Sequence, residues 1–159
     1  MFWRKPSPSK IFKELTMLEV VLGASRARLD IALNIRRDRR TYMEYFYKVS
    51  VPSAMVGLPL TPLTMSNMFV NDTFIAMRRG LKKLRKIVML LLRERYIGPE
   101  LSERLLNSIK EVEERMKTAD SLPVERGIEE LKESIDMMLA ICAEVKAMLA
   151  SRGISVPER

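Results

Sequence analysis

From Val124 to Leu149 an apolar residue returns every three or four positions without a miss: Val124, Ile128, Leu131, Ile135, Met138, Cys142, Val145 and Leu149. That spacing puts all of them on one face of an α-helix and on no single face of a strand. Fully buried, they would contribute roughly 12–24 kcal/mol, at about 1.5–3 kcal/mol each, before ordering entropy is subtracted. A stripe of that size does not face water. The segment must dock on the rest of the chain or on a partner.

The same period runs through most of the 159 residues, and strand signals are nearly absent. Ser7-Pro8 suits a helix start, with a capping hydroxyl and Pro in the first turn. Leu15, Leu18, Leu22, Leu29 and Ala32 follow as a stripe that resumes at Met43 and Phe46. This predicts one helix to about Lys48, about 41 residues and roughly 60 Å long. Val70, Phe74, Met77, Leu81, Leu84, Val88 and Leu91 predict a second, from about Ser66 to Tyr96, stopped by Gly98-Pro99. Leu101, Leu105, Ile109, Val112 and Met116 predict a third, from about Glu100 to Lys117. Ser121 is the expected cap of the fourth and Gly153 its stop. Residues 49–65 carry Pro52, Pro59 and Pro62 and no charge, which predicts a loop whose apolar side chains pack on something.

The expected fold class is therefore all-α, in a single domain. Residues 1–9 form an N-terminal tip and 10–97 a long basic helical hairpin. Two shorter acidic helices at 98–159 pack on it. The charge divides along that line: the net +8 is +12 over residues 1–97 and −4 over 98–159.

Composition removes whole classes of chemistry. With no His, the chain lacks the residue used by most hydrolytic triads and catalytic zinc sites. One Cys builds no disulfide framework. The expectation is a non-enzymatic protein with no catalytic residues, metal or cofactor. Absent Gln with 30% charged residues leans towards a thermophile, although twelve Met lean the other way. No apolar run is long enough to be a signal peptide core or a membrane span, so the expected location is cytoplasmic, peripheral at the membrane.

The densest feature is RRGLKKLRK at 78–86. On a helix Arg78, Arg79, Lys82, Lys83, Arg85 and Lys86 fall in an arc of about 160°, clear of an apolar arc of about 100°. A solvated face is normally salted with acids at i,i+4, but no acid lies between Asp72 and Glu94. Uncompensated cations of this kind point to a polyanion. RRDRR at 36–40 brings Arg36 and Arg37 as a second cluster, on the same surface if the first two helices form a hairpin. An anionic membrane rewards each nearby cation by about 1 kcal/mol. Nucleic acid phosphates reward them too, with steep salt dependence.

Tyr42, Tyr45, Phe46 and Tyr47 beside this cluster are candidates for base stacking, but at this spacing at least two should be core. Cys142, on the apolar stripe, reads as a small core residue. Glu125, Glu129, Glu133 and Asp136 line the opposite face of the last helix, as a solvated or Arg-pairing row rather than a metal site. Phe2 and Trp3 next to Arg4, Lys5 and Lys10 suit insertion into an anionic headgroup layer.

RARLDIALNIRRDRRTYMEYFYKV (26–49) and FIAMRRGLKKL (74–84) resemble the first- and second-helix segments of the ESCRT-III superfamily, particularly its archaeal cell-division members of the CdvB type. The resemblance implies a basic two-helix hairpin with acidic helices folded back on it. It also implies membrane binding and assembly into a homo-oligomer or polymer. The alternatives are a basic helical nucleic-acid-binding protein and an all-α protein–protein adaptor.

Overall fold

A computed structural model describes residues 7–154. Its elements are α1 (Pro8–Arg37), α2 (Arg39–Tyr45), a π-helical turn (Phe46–Ser50), α3 (Val51–Met55), α4 (Pro62–Arg93), α5 (Pro99–Ser121) and α6 (Val124–Ser151). The all-α expectation holds, and the long helices α1, α4, α5 and α6 close into an up-down-up-down bundle. Each packs on its chain neighbour, and α6 returns to pack on α1. One apolar cluster runs through all four, from Ile11 and Leu29 through Met77 and Leu91 to Ile109, Leu131 and Leu149. The α6 stripe is that core: seven of its eight residues are buried, and only Val124 at the helix start is exposed.

Small residues set how closely α1 and α4 approach. A side-chain carbon at Gly80 would lie 3.0 Å from Leu18 Cδ1 and 2.9 Å from Met138 Cε. Two heptads away, the buried Ser66 donates through Oγ to the Ala32 carbonyl at 3.0 Å. The antiparallel register that joins these pairs puts the buried Ser25 opposite the buried Thr73. At the α5–α6 turn a carbon at Gly127 would come within 2.8 Å of the Ala119 carbonyl oxygen. Backbone does not yield as a methionine tip does. Gly127→Ala should therefore destabilise by about 1–3 kcal/mol, despite a helix-propensity gain of up to about 1 kcal/mol. A lower denaturation midpoint at unchanged m checks this.

Three element boundaries differ from expectation, each for a local reason. The first helix does not run to Lys48 but breaks at Asp38, whose backbone is extended (φ −117°, ψ 114°). The Asp38 carboxylate accepts from the Arg40 backbone N–H at 3.1 Å and the Thr41 hydroxyl at 2.8 Å, so it ends α1 and caps α2. Residues 49–65 are not one loop: the π-helical turn and α3 occupy their start, and α4 begins at Pro62 behind the capping Thr61 hydroxyl. Ser121 does not cap α6; it ends α5, and Pro123 stands at the cap position.

The segment from α2 to α3 packs chiefly on itself and on the adjoining ends of α1 and α4. The bundle itself does not cover all of its apolar side chains. Val51, Met55, Val56, Leu58 and Leu63 are all exposed.

Candidate anion-binding face

α4 is a two-faced helix. Met77, Leu81, Leu84, Val88 and Leu91 point into the core, and the cations of 78–86 point away from it. The bundle treats them unequally. Arg85 forms an ion pair with Glu113 on α5. Arg78 lies over the Phe74 ring, 5.8 Å from its centroid. Both, with Lys82, border a groove of 480 Å³ between α4 and α5 that also holds Glu113 and Asp120. On that side two acids of α5 stand among the cations, which Lys117 joins, and Glu113 neutralises Arg85.

The α1 side is different. Arg79, Lys82, Lys83 and Lys86 line a groove of 460 Å³ with Ile11 and Glu14, and Glu14 is the single carboxylate there. Arg79 and Lys83 also border a second groove, of 320 Å³, whose far wall is Met17 and Val21 of α1. None of the four cations has an acidic partner within salt-bridge distance among the described residues. Low-dielectric walls beside like charges concentrate their field outwards. The arrangement can hold a multivalent anion.

This cationic row belongs to a longer stripe. Met68, Ile75, Arg79, Lys82 and Lys86 are all exposed on α4 and fall within an arc of about 60°. Beside them on α1, Met17 (58%), Val20 (68%) and Val21 (47%) are exposed. These aliphatics were not singled out as functional in the sequence, because they sit off the α1 core stripe. Their signal is the apolar MLEVVL at 17–22, wider than one helix face can bury.

The other expected site residues are placed differently. Arg36 donates through Nε to Ser66 Oγ at 3.0 Å and through Nη2 to Asn67 Oδ1 at 2.5 Å, tying the end of α1 to the start of α4. Arg37 pairs with Glu129 at 2.9 Å and Glu125 at 3.1 Å; these partners push its pKa further up, the hydrogen bond to Glu129 first. Both arginines hold the bundle together and do not join the free row. Phe2, Trp3, Arg4 and Lys5 lie outside the described residues.

The acidic row of α6 is Arg-pairing. Besides Glu125 and Glu129, Asp136 accepts from Arg26 at 2.8 Å and Glu133 from Arg115 at 3.2 Å. Among the described residues no group of acids or Cys is placed to hold a metal ion. The expectation of two core aromatics at 42–47 fails: Tyr42 and Tyr45 are half-buried, and Phe46 and Tyr47 are exposed, edge to face at 5.4 Å. Cys142 is fully buried, and burial pushes its thiol up to about 12. It should resist maleimide in the native protein at neutral pH and react fully after denaturation, as mass spectrometry would record.

Fold and face together define an all-α bundle with an uncompensated cationic surface flanked by exposed aliphatics. Comparison with protein families, with characterised proteins and with solved structures finds no match to this chain.

Proposed function

We propose that this protein is a non-enzymatic subunit that binds anionic membrane surfaces through the outer face of α1 and α4 and assembles there. This is the activity that the resemblance to ESCRT-III proteins implies. The observation that carries it is the row of Arg79, Lys82, Lys83 and Lys86, none of them in a salt bridge among the described residues, with Glu14 the single carboxylate in their groove. Such a row is costly by self-repulsion and gains its value from an external anion.

The aliphatics decide which anion. A phosphate backbone gives no reward for Met17, Val20, Val21 and Ile75 at its edge, whereas a lipid headgroup layer rewards cations and apolar side chains together. Attachment is peripheral, since no described helix is long and apolar enough to cross a membrane. The test is flotation with phosphatidylcholine vesicles, with and without phosphatidylglycerol, beside a duplex DNA and RNA shift at matched salt. Flotation that requires the anionic lipid supports the reading. Tight duplex binding without flotation overturns it in favour of nucleic acid.

A further inference from the structure

The far end of the α1–α4 hairpin is an apolar knob that the bundle leaves uncovered. Met55 is 83% exposed, Val56 73%, Tyr47 65% and Leu58 56%. From Val49 to Asn71 there is no charged residue. A contiguous exposed patch of this kind marks a contact with something else. Its occupant is identified by two further features.

The first is the backbone. A segment can leave water only if its N–H and C=O groups are satisfied internally. Here the π-helical turn and α3 satisfy much of the backbone, and the turn that follows closes on itself. Val56 N–H donates to Ser53 O at 3.2 Å, Gly57 to Ala54 O at 3.1 Å, and Leu58 to Ser53 O at 2.8 Å. Pro52, Pro59 and Pro62 have no N–H to lose. A positive φ of 80° at Gly57 makes so tight a reversal possible.

The second is the collar. Arg39 and Arg40 are exposed at the root of the knob and form no salt bridge among the described residues, although the charge of Arg40 is felt by Asp38 and Glu44, whose pKa values it helps to lower. They occupy the first turn of α2, where acids are favoured and cations are not, so the helix dipole does not account for them. The neighbouring Lys48 is matched by Glu44 at 2.6 Å. Two copies meeting knob to knob would bring their arginine collars together. An anionic bilayer meets both parts: phosphates take the collar, and the interface takes the aromatic and aliphatic tip.

We infer that residues 46–63 are a bilayer-entering tip, in which Tyr47, Met55, Val56 and Leu58 pass into the lipid interface while Arg39 and Arg40 stay on anionic headgroups. This rests on the membrane reading of the α4 face, because Met68 and Ile75 carry the exposed apolar stripe from the knob to that face. The tip gives the protein a second attachment that the cationic row alone lacks, and stable anchoring generally takes two.

The experiment uses the full chain with Val56→Cys labelled by the environment-sensitive fluorophore NBD, a label that the buried Cys142 does not compete for. With phosphatidylglycerol-containing vesicles the emission should rise severalfold, shift to the blue and be quenched by lipids carrying a doxyl group in the acyl chain. In parallel, Met55→Asp with Leu58→Asp should lose most flotation while melting like the parent, because neither side chain is in the core. Flotation with unchanged emission overturns the tip and leaves the α4 face standing. An emission rise that follows protein concentration without vesicles means a second copy covers the knob, and also overturns it. If Lys82→Glu, Lys83→Glu and Lys86→Glu together leave flotation and emission intact, the α4 reading fails and the tip alone binds. A parent that never floats overturns both.

Discussion

Reversing Lys82, Lys83 and Lys86 to Glu is expected to abolish vesicle binding while the helical signal and melting temperature stay near those of the parent. Lys82 and Lys86 are exposed and Lys83 is half-buried, and none has an acidic partner among the described residues. Their loss removes no internal ion pair, and the fold should not notice. The surface will. Each cation near an anionic bilayer is worth about 1 kcal/mol, so losing three attractions alone costs about 3 kcal/mol, more than a hundredfold in affinity. The three carboxylates then add repulsion of similar size. Salt gives an independent reading, because attachment through this row should weaken between low and physiological ionic strength while any purely apolar contribution stays. Unchanged flotation by the triple variant would remove the α4 face as the attachment surface. Arg36→Ala makes the contrast: it breaks the bonds to Ser66 and Asn67, so its effect should appear in stability before it appears in binding.

That contrast marks how much of the site the sequence made legible. RRGLKKLRK shows six cations on one arc of a helix, but periodicity does not say which of them a neighbouring helix will neutralise. Arg85 is taken by Glu113, twenty-eight residues away in the chain, and Arg37 by Glu125 and Glu129 at greater distance still. Ion pairing across a bundle depends on register, and register is set by small residues such as Gly80 and Ser66. Ser66, Thr73 and Gly80 stand at heptad spacing in the sequence, but only the folded register shows that they face Ala32, Ser25 and Leu18 in that order.

Helix boundaries follow the same logic. Ser7-Pro8 was legible as a start, and Thr61-Pro62 carries the same chemistry, a capping hydroxyl before a proline. Three prolines in a short uncharged stretch masked it, since each discourages helix at the residue before it. Asp38 inside RRDRR looked like a diluted charge cluster, yet its side chain closes one helix and opens the next. The apolar 49–65 segment gave the opposite lesson. Hydrophobic composition predicts burial, but a hairpin end has no neighbour to bury against, and Tyr47, Met55 and Val56 stay outside.

Leu131→Asp should unfold or aggregate the protein at moderate temperature. Leu131 is 1% exposed, two turns into α6, packed in the cluster that joins all four long helices. Truncating such a residue alone costs about 2–5 kcal/mol. An ionised carboxylate left unpaired there adds its desolvation, and the total approaches the 5–15 kcal/mol that typically separates folded from unfolded states. The ion pairs that also hold α6 to α1, Arg26–Asp136, Lys132–Asp30 and Lys146–Glu19, do not compensate. Their side chains are partly exposed, and pairs of this kind contribute about 0–1 kcal/mol each. Leu131→Met, which keeps volume and polarity, should cost less than about 1.5 kcal/mol and serves as the matched control. Circular dichroism melting with size-exclusion chromatography reads both variants. If the Asp variant melts with the parent and remains monodisperse, the α6 seam is open in solution and the closed bundle is wrong. The cationic row of α4 would survive that outcome, because α6 forms neither wall of the α1–α4 groove.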